Sequence, residues 1–231
     1  MGAAANQVSE AFFFQPASWF EPFNWEHVFE QSAHPPSAPQ PVQSEDEKHS
    51  NILKNVGISF PIHADLGAGD GGFVCQRARN HPKTNFLAVE RLLGRARKIA
   101  RRARRERLPN VRVVRIEASY AVEHLFSASS VRSMTILFPD PWPKRRHHKN
   151  RLIQRPFLEH CAACLEPGGW LAIKTDDASY LEQINMAFSE CKGLKRWMEA
   201  RSETLIPETT DFEREFLKEN RPIYFVAAIR T

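Results

Sequence analysis

Two short stretches hold residue types whose spacing can do chemistry. The first reads Asp65-Leu66-Gly67-Ala68-Gly69-Asp70-Gly71-Gly72. Gly67, Gly69 and Gly72 satisfy G-x-G-x-x-G after an apolar run and before a helical pattern, as in loops that cradle nucleotide cofactors. Taken alone, the pattern also fits a glycine-rich turn with no ligand. The acids separate the cofactor classes. A dinucleotide would set its pyrophosphate on the helix N-terminus. Asp70 at that helix start and Asp65 just before the loop would repel it at close range. S-adenosylmethionine carries no phosphate but has a cationic sulfonium and ammonium, which carboxylates suit. Glu90 closes the second apolar run, 18 residues after Gly72, where an acid can grip ribose hydroxyls in either cofactor class. Glu117 closes the third and can contact the adenine side. Glycines followed by strand-ending acids favour S-adenosylmethionine over NAD.

The second stretch runs Leu137-Phe138-Pro139-Asp140-Pro141-Trp142-Pro143-Lys144-Arg145-Arg146-His147-His148-Lys149. Three prolines in five residues fix φ repeatedly and stiffen the loop. Asp140 is held between two of them. A rigid acid beside a rigid aromatic suits a flat base: the carboxylate accepts its N–H groups and the Trp142 face stacks or walls the pocket. The bland alternative is a turn cap at Asp140 and a core tryptophan. Lys144 to Arg155 follow directly, where a phosphate backbone would run.

These loops need elements to carry them. Apolar or β-branched runs at 62–66, 84–89, 111–116, 131–138, 169–175 and 222–229 read as strands, and helical patterns lie between most of them. In 91–107, Leu92, Ala96, Ile99 and Ala103 keep the 3–4 spacing, with arginines on the other face. Residues 151–165 and 177–191 also read as helices. The alternation predicts an α/β fold with a mostly parallel sheet and helices on both faces. Such folds bind ligands beyond the carboxyl ends of their strands, where both stretches fall.

The 231 residues, 42% of them apolar, suffice for one large core without metals or disulfides. The N-terminus has no basic and apolar signal region, and no apolar run approaches the roughly 18 residues of a membrane span. Four cysteines are no disulfide framework, so a cytoplasmic location is expected. Cys161 and Cys164 form C-x-x-C in a helical stretch with no second pair, and His147-His148 lacks further ligands, so no metal is expected. Met186 and Phe188 read as core. The net charge of +5 is unevenly spread. Residues 1–50 hold seven acids and one base, leaving +11 on 51–231. Nine bases fall in 91–107 and six in 144–155, the footprint of a polyanion binder. One methyltransferase domain is expected over 51–231, preceded by an aromatic, acidic extension with a proline-rich linker over 1–50. The aromatics of 11–30 are too dense to stay in water and should dock on the domain or on a partner. Residues 34–48, with four prolines, read as a linker or surface loop.

Together, ADLGAGDGGF, FLAVE, NVRVVRIEA, ILFPDPWPKRRHHKNRL, LEPGGWLAIKTDD and TTDFEREF…RPIY closely resemble the tRNA (guanine-N7-)-methyltransferase family over about residues 60–231. The resemblance implies a Rossmann-like class I methyltransferase fold with a seven-stranded sheet. It also implies methyl transfer from S-adenosylmethionine to N7 of guanine 46 in the tRNA variable loop. By position, Asp65, Glu90, Glu117 and Asp140 match the family's cofactor-contacting acids, with Gly67 and Gly69 in the cofactor loop. Asp140 also matches its catalytic residue. Lys144, Asp176 and Thr210-Asp211-Phe212-Glu213 match its substrate-binding positions. Arg145, Arg146, Lys149 and Arg151 are assigned to the tRNA backbone. Asp65 stands where the family usually has Glu, and Glu117 where it usually has Asp. Guanine N7 has a lone pair in the base plane and needs no base to remove a proton. The protein's expected task is therefore orientation and electrostatics, with Asp140, Asp176 and Glu213 accepting from the base and Thr210 orienting Glu213 or binding phosphate. The chain is expected to act as a monomer or homodimer. The rivals are a methyltransferase for exocyclic amines of adenine or cytosine, a dehydrogenase, and a tRNA-binding protein without catalysis. The first would carry a second proline where Trp142 stands.

Overall fold

The computed structural model describes residues 12–30 and 60–231. The linker read at 34–48 lies outside the described residues. From residue 60 the chain alternates as expected: β1 (Ile62–Leu66), α2 (Gly72–Asn80), β2 (Asn85–Val89), α3 (Leu93–Arg105), β3 (Val111–Val114), α4 (Ala118–Tyr120), β4 (Val131–Leu137), α5 (Arg155–Cys164), β5 (Leu165–Thr175), α6 (Ala178–Glu190), β6 (Leu194–Arg196), α7 (Ser202–Leu205), α8 (Asp211–Lys218) and β7 (Tyr224–Arg230). A short helix α1 (Trp25–Glu30) precedes them.

The sheet order is β3-β2-β1-β4-β5-β7-β6. β1 to β5 are parallel, and β7 runs antiparallel to both β5 and β6. The order reverses between β1 and β4, which opens a crevice at their carboxyl ends. Alternation along each strand feeds two faces. In β2, Leu87 and Val89 join a core with α5 and α6, while Phe86 and Ala88 join a separate one with α2 and α3. α3 buries Ala96, Ile99, Ala100 and Ala103 and turns most of its arginines outward, as its spacing predicts, but Leu92, expected on the same face, is the N-cap residue and 44% exposed.

The aromatic segment docks on the domain. Phe14 N–H donates to Val113 O and Val113 N–H to Phe12 O, both at 2.8 Å, covering the otherwise open edge of β3. Phe14 and Phe23 are buried edge to face, with centroids 5.1 Å apart, in the same core as α5 and α6. Arg112 on β3 holds the end of this segment. Its guanidinium donates to Phe29 O at 2.9 Å and lies over the Phe29 ring.

Phe188 is core, but Met186 is 64% exposed. The buried face of α6 is set by Tyr180, Ile184, Ala187 and Phe188, and Met186 falls on the opposite side. Cys161 and Cys164 are buried free thiols, and no group of three or more metal-binding side chains occurs among the described residues. No helix among the described residues is long and apolar enough to cross a membrane.

Candidate active site

The glycine loop leaves β1 with Gly67, Gly69 and Gly71 at positive φ, which side-chain-bearing residues rarely adopt. Gly72, the third glycine of the motif, instead opens α2. The loop is tied to β2: the N–H groups of Gly67 and Ala68 donate to Val89 O at 2.9 and 3.0 Å. Glu90 takes Gly69 N–H on one carboxylate oxygen (3.0 Å) and Leu92 N–H on the other (2.8 Å), joining the loop to the start of α3. A Cβ placed on Gly67 or Gly69 would meet nothing within 4 Å, so the space above the loop is open.

Asp65 is buried near the end of β1, two residues before Gly67. Burial pushes its carboxyl up to about 7, against a 2.8 Å hydrogen bond from Thr135 and the nearby Arg77. Glu117 is exposed just before α4. Asp70 departs from expectation. It turns toward α3, 3.1 Å from Lys98 and 3.9 Å from Arg95, so its charge is offset there. The preference for a cationic ligand over a pyrophosphate therefore rests on Asp65 and Glu90. Open space over bare glycines, with Asp65, Glu90 and Glu117 at or just past the carboxyl ends of β1, β2 and β3, fits S-adenosylmethionine.

Asp140 stands beyond the end of β4, exposed, with no hydrogen bond or ion pair to the described residues. The loop bends back through positive φ at Phe138 and Trp142, and the His147 ring meets Trp142 edge-on at 5.8 Å. Lys144, Arg145, Arg146 and Lys149 are exposed on the 3-10 turn that follows. Arg151 is not with them, and its assignment to the tRNA backbone is corrected. It is 2% exposed. Its guanidinium donates to Pro141 O (2.7 Å), Ser179 O (3.2 Å), Gln183 Oε1 (3.1 Å) and Ser179 Oγ (2.7 Å) and lies 4.7 Å over the Tyr180 ring. With its donors satisfied inside the protein, Arg151 is a strut between the Asp140 loop and α6.

α8 bridges the crevice. Thr210 caps it by accepting Glu213 N–H at 2.9 Å. Asp211 reaches α2, where a Cβ on Gly72 would lie 3.3 Å from its Oδ2. Glu213, 7% exposed, takes a 2.7 Å hydrogen bond from Lys174 of β5 on one oxygen, and its other oxygen is buried without a partner among the described residues. Asp176 pairs with Arg221, whose guanidinium lies 4.0 Å over Phe216. Phe212 is exposed on the outer side of the helix. Thr210 through Glu213, far from the glycine loop in sequence, are thus brought beside it, and Lys174 supplies a partner the sequence reading missed. A lone lysine inside the apolar run GWLAIKT is the signal, because a central-strand charge demands a counter-charge.

A family described as "Putative methyltransferase" matches residues 59–226. The tRNA (guanine-N(7)-)-methyltransferase of Syntrophotalea carbinolica is 33% identical over 178 residues, 74% of each chain. That of Nitrosomonas europaea is 31% identical over 176 residues, 76% of this chain and 79% of its own. That of Exiguobacterium sp. is 30% identical over 191 residues, 81% and 88%. Among solved structures, the 16S rRNA methyltransferase KamB superposes with a TM-score of 0.56 at 18% identity, over 83% of this chain and 95% of its own. That likeness shows the shared Rossmann-like methyltransferase fold. With its glycine loop, strand-ending acids and proline-braced Asp140 in place, the chain belongs to the tRNA (guanine-N(7)-)-methyltransferase family.

Proposed function

We propose that this protein transfers a methyl group from S-adenosylmethionine to N7 of guanine 46 in the variable loop of tRNA, in the cytoplasm. The observation that carries this reading is Asp140: an unpaired, exposed carboxylate on a braced loop, between the open space over Gly67 and Gly69 and a basic rim. Bound S-adenosylmethionine supplies an electrophilic methyl on a positively charged sulfur. Asp65, Glu90 and Glu117 hold its cationic and hydroxyl groups. Asp140 would accept from the guanine edge and orient N7 toward the methyl donor. Guanine N7 offers a lone pair in the base plane, so this chain would need no group to take a proton during transfer. The guanine becomes cationic, which a fixed carboxylate favours. Lys144, Arg145, Arg146 and Lys149 hold the phosphates, and Asp176 and the α8 N-terminus close on the base. Methylation of an unmodified tRNA transcript and of the same transcript with adenine at position 46 tests the site. Incorporation in the first and none in the second is expected. Equal incorporation would move the target elsewhere.

A further inference from the structure

A chain of side-chain hydrogen bonds runs back from the cofactor end through the centre of the sheet. His63 and Asp65 of β1 are in register with Ser133 and Thr135 of β4. None of the four is more than 5% exposed. Ser133 Oγ lies 2.7 Å from His63 Nδ1, His63 Nε2 lies 3.1 Å from Thr135 Oγ1, and Thr135 Oγ1 donates to Asp65 Oδ1 at 2.8 Å. His63 and Ser133 line a small cavity with Arg77, His81, Arg132 and Trp170, whereas Thr135 and Asp65 are enclosed within the sheet, where apolar residues would fill the same place without desolvation cost.

Proton counting fixes the direction of the chain. Burial, with Arg77 and His81 nearby, holds the His63 imidazole well below its ordinary value, so it is neutral, with one donor and one acceptor nitrogen. The Thr135 hydroxyl has one proton and spends it on Asp65. It must therefore accept from His63, which places the imidazole proton on Nε2 and leaves Nδ1 to accept from Ser133. Every donor then points toward an ionised Asp65. When Asp65 gains a proton, each bond reverses: Asp65 donates to Thr135, Thr135 to Nε2, and Nδ1–H to Ser133. One proton is gained at Asp65, and the imidazole keeps one proton but carries it on the other nitrogen, by exchange with solvent.

We infer that Thr135 and His63 are positioning residues for the methyl donor: they hold Asp65 ionised and aimed for its cationic end, and the His63 tautomer follows the charge on Asp65. The inference rests on Asp65 being a cofactor carboxylate. The charged and titratable groups facing the chain are Arg77 and Cys75 of α2 and Glu90 at the end of β2, toward Asp65, and Arg77, His81 and Arg132, toward His63 and Ser133. Arg77 is itself held by Glu208 at 2.7 Å. The Asp65 carboxyl, pushed up to about 7 by burial, changes charge close to neutral pH. Removing the Thr135 donor raises it further.

Calorimetric affinities for S-adenosylmethionine between about pH 5.5 and 9 test this in the wild type, Thr135→Val and Asp65→Asn, with 15N NMR of the wild-type His63 ring over the same range. Below the midpoint, wild-type affinity falls about tenfold per pH unit. In Thr135→Val the midpoint rises by about one unit, giving roughly tenfold weaker binding at low pH and convergence at high pH. The ratio of the two curves cancels the cofactor's own amino titration. The His63 proton moves from Nδ1 to Nε2 across the wild-type midpoint. A Thr135→Val curve offset by one constant factor, or superposed on wild type, would overturn the inference, as would a proton fixed on one nitrogen. Unchanged affinity in Asp65→Asn would instead remove Asp65 from the cofactor site. The NMR arm decides the matter even if Thr135→Val fails to fold.

Discussion

Arg151→Met separates a strut from a phosphate ligand. The guanidinium makes four hydrogen bonds and lies 3.8 Å from Asp177, at a position 2% exposed. Removing one partner of a buried charged network costs about 3–5 kcal/mol. The lower end applies here, because Ser179, Gln183 and Asp177 are part-exposed and can turn to water, whereas Pro141 O loses the one donor it has among the described residues. A loss of about 3 kcal/mol lowers Tm by about 6–12 °C in a chain of this size. Pro141 adjoins Asp140, so the acid loses its brace, and a displacement of about 1 Å costs about 100-fold in turnover. The phosphate contacts stay in place. Thermal unfolding, kcat and tRNA affinity across a salt series are the assays, with Arg145→Ala/Arg146→Ala as the contrast. The double variant should keep its Tm and lose about 0.7–0.9 of log–log salt slope per contact. A lower salt slope and an unchanged Tm in Arg151→Met would refute the strut.

Glu208 makes stability depend on acid pH. Burial alone would raise its carboxyl, but hydrogen bonds from Asn80 and its own backbone, together with Arg77, outweigh burial and hold it below its ordinary value. A depressed folded-state value contributes stability above the unfolded value, about 4.3, which is lost as pH falls through the folded one. Urea unfolding from pH 7 to 3 should therefore show a steeper acid loss in the wild type than in Glu208→Gln. Phe23→Ala removes a ring packed against Phe14, Trp25 and Phe126 and should cost about 3–5 kcal/mol in urea unfolding. A cost under about 1 kcal/mol would deny the segment its place in the core. Lys174→Met strands a buried Glu213 and should destabilise by about 3 kcal/mol, with Lys174→Met/Glu213→Leu recovering much of it; additivity in that cycle would contradict the pairing.

Local signals carried much of the structure in the sequence. The period-3.6 spacing of Ala96, Ile99 and Ala103 and the apolar runs Phe86–Val89 of β2 and Tyr224–Ile229 of β7 need no distant partner to be read. α8 was readable too, since Thr210 and Glu213 form the T-x-x-E of a capping box, although the stretch was recognised only as a motif. β6 has three residues, Leu194 to Arg196, too few to show a period. The roles of Arg151 and Asp70 could not be read locally. Both sit in or beside runs of charge, and only the packing of α6 and α3 turns one inward and pairs the other. The Ser133–His63–Thr135–Asp65 chain was invisible for a related reason: its members lie on two strands whose register exists only in the folded sheet.

The most direct test of the central claim is the chemical identity of the product. The purified protein is incubated with labelled S-adenosylmethionine and tRNA lacking 7-methylguanosine, the RNA is digested, and the labelled nucleoside is identified by mass spectrometry. The wild type should yield 7-methylguanosine and Asp140→Ala none, with tRNA binding retained in the variant. Label in any other nucleoside, or equal 7-methylguanosine from Asp140→Ala, would contradict that claim.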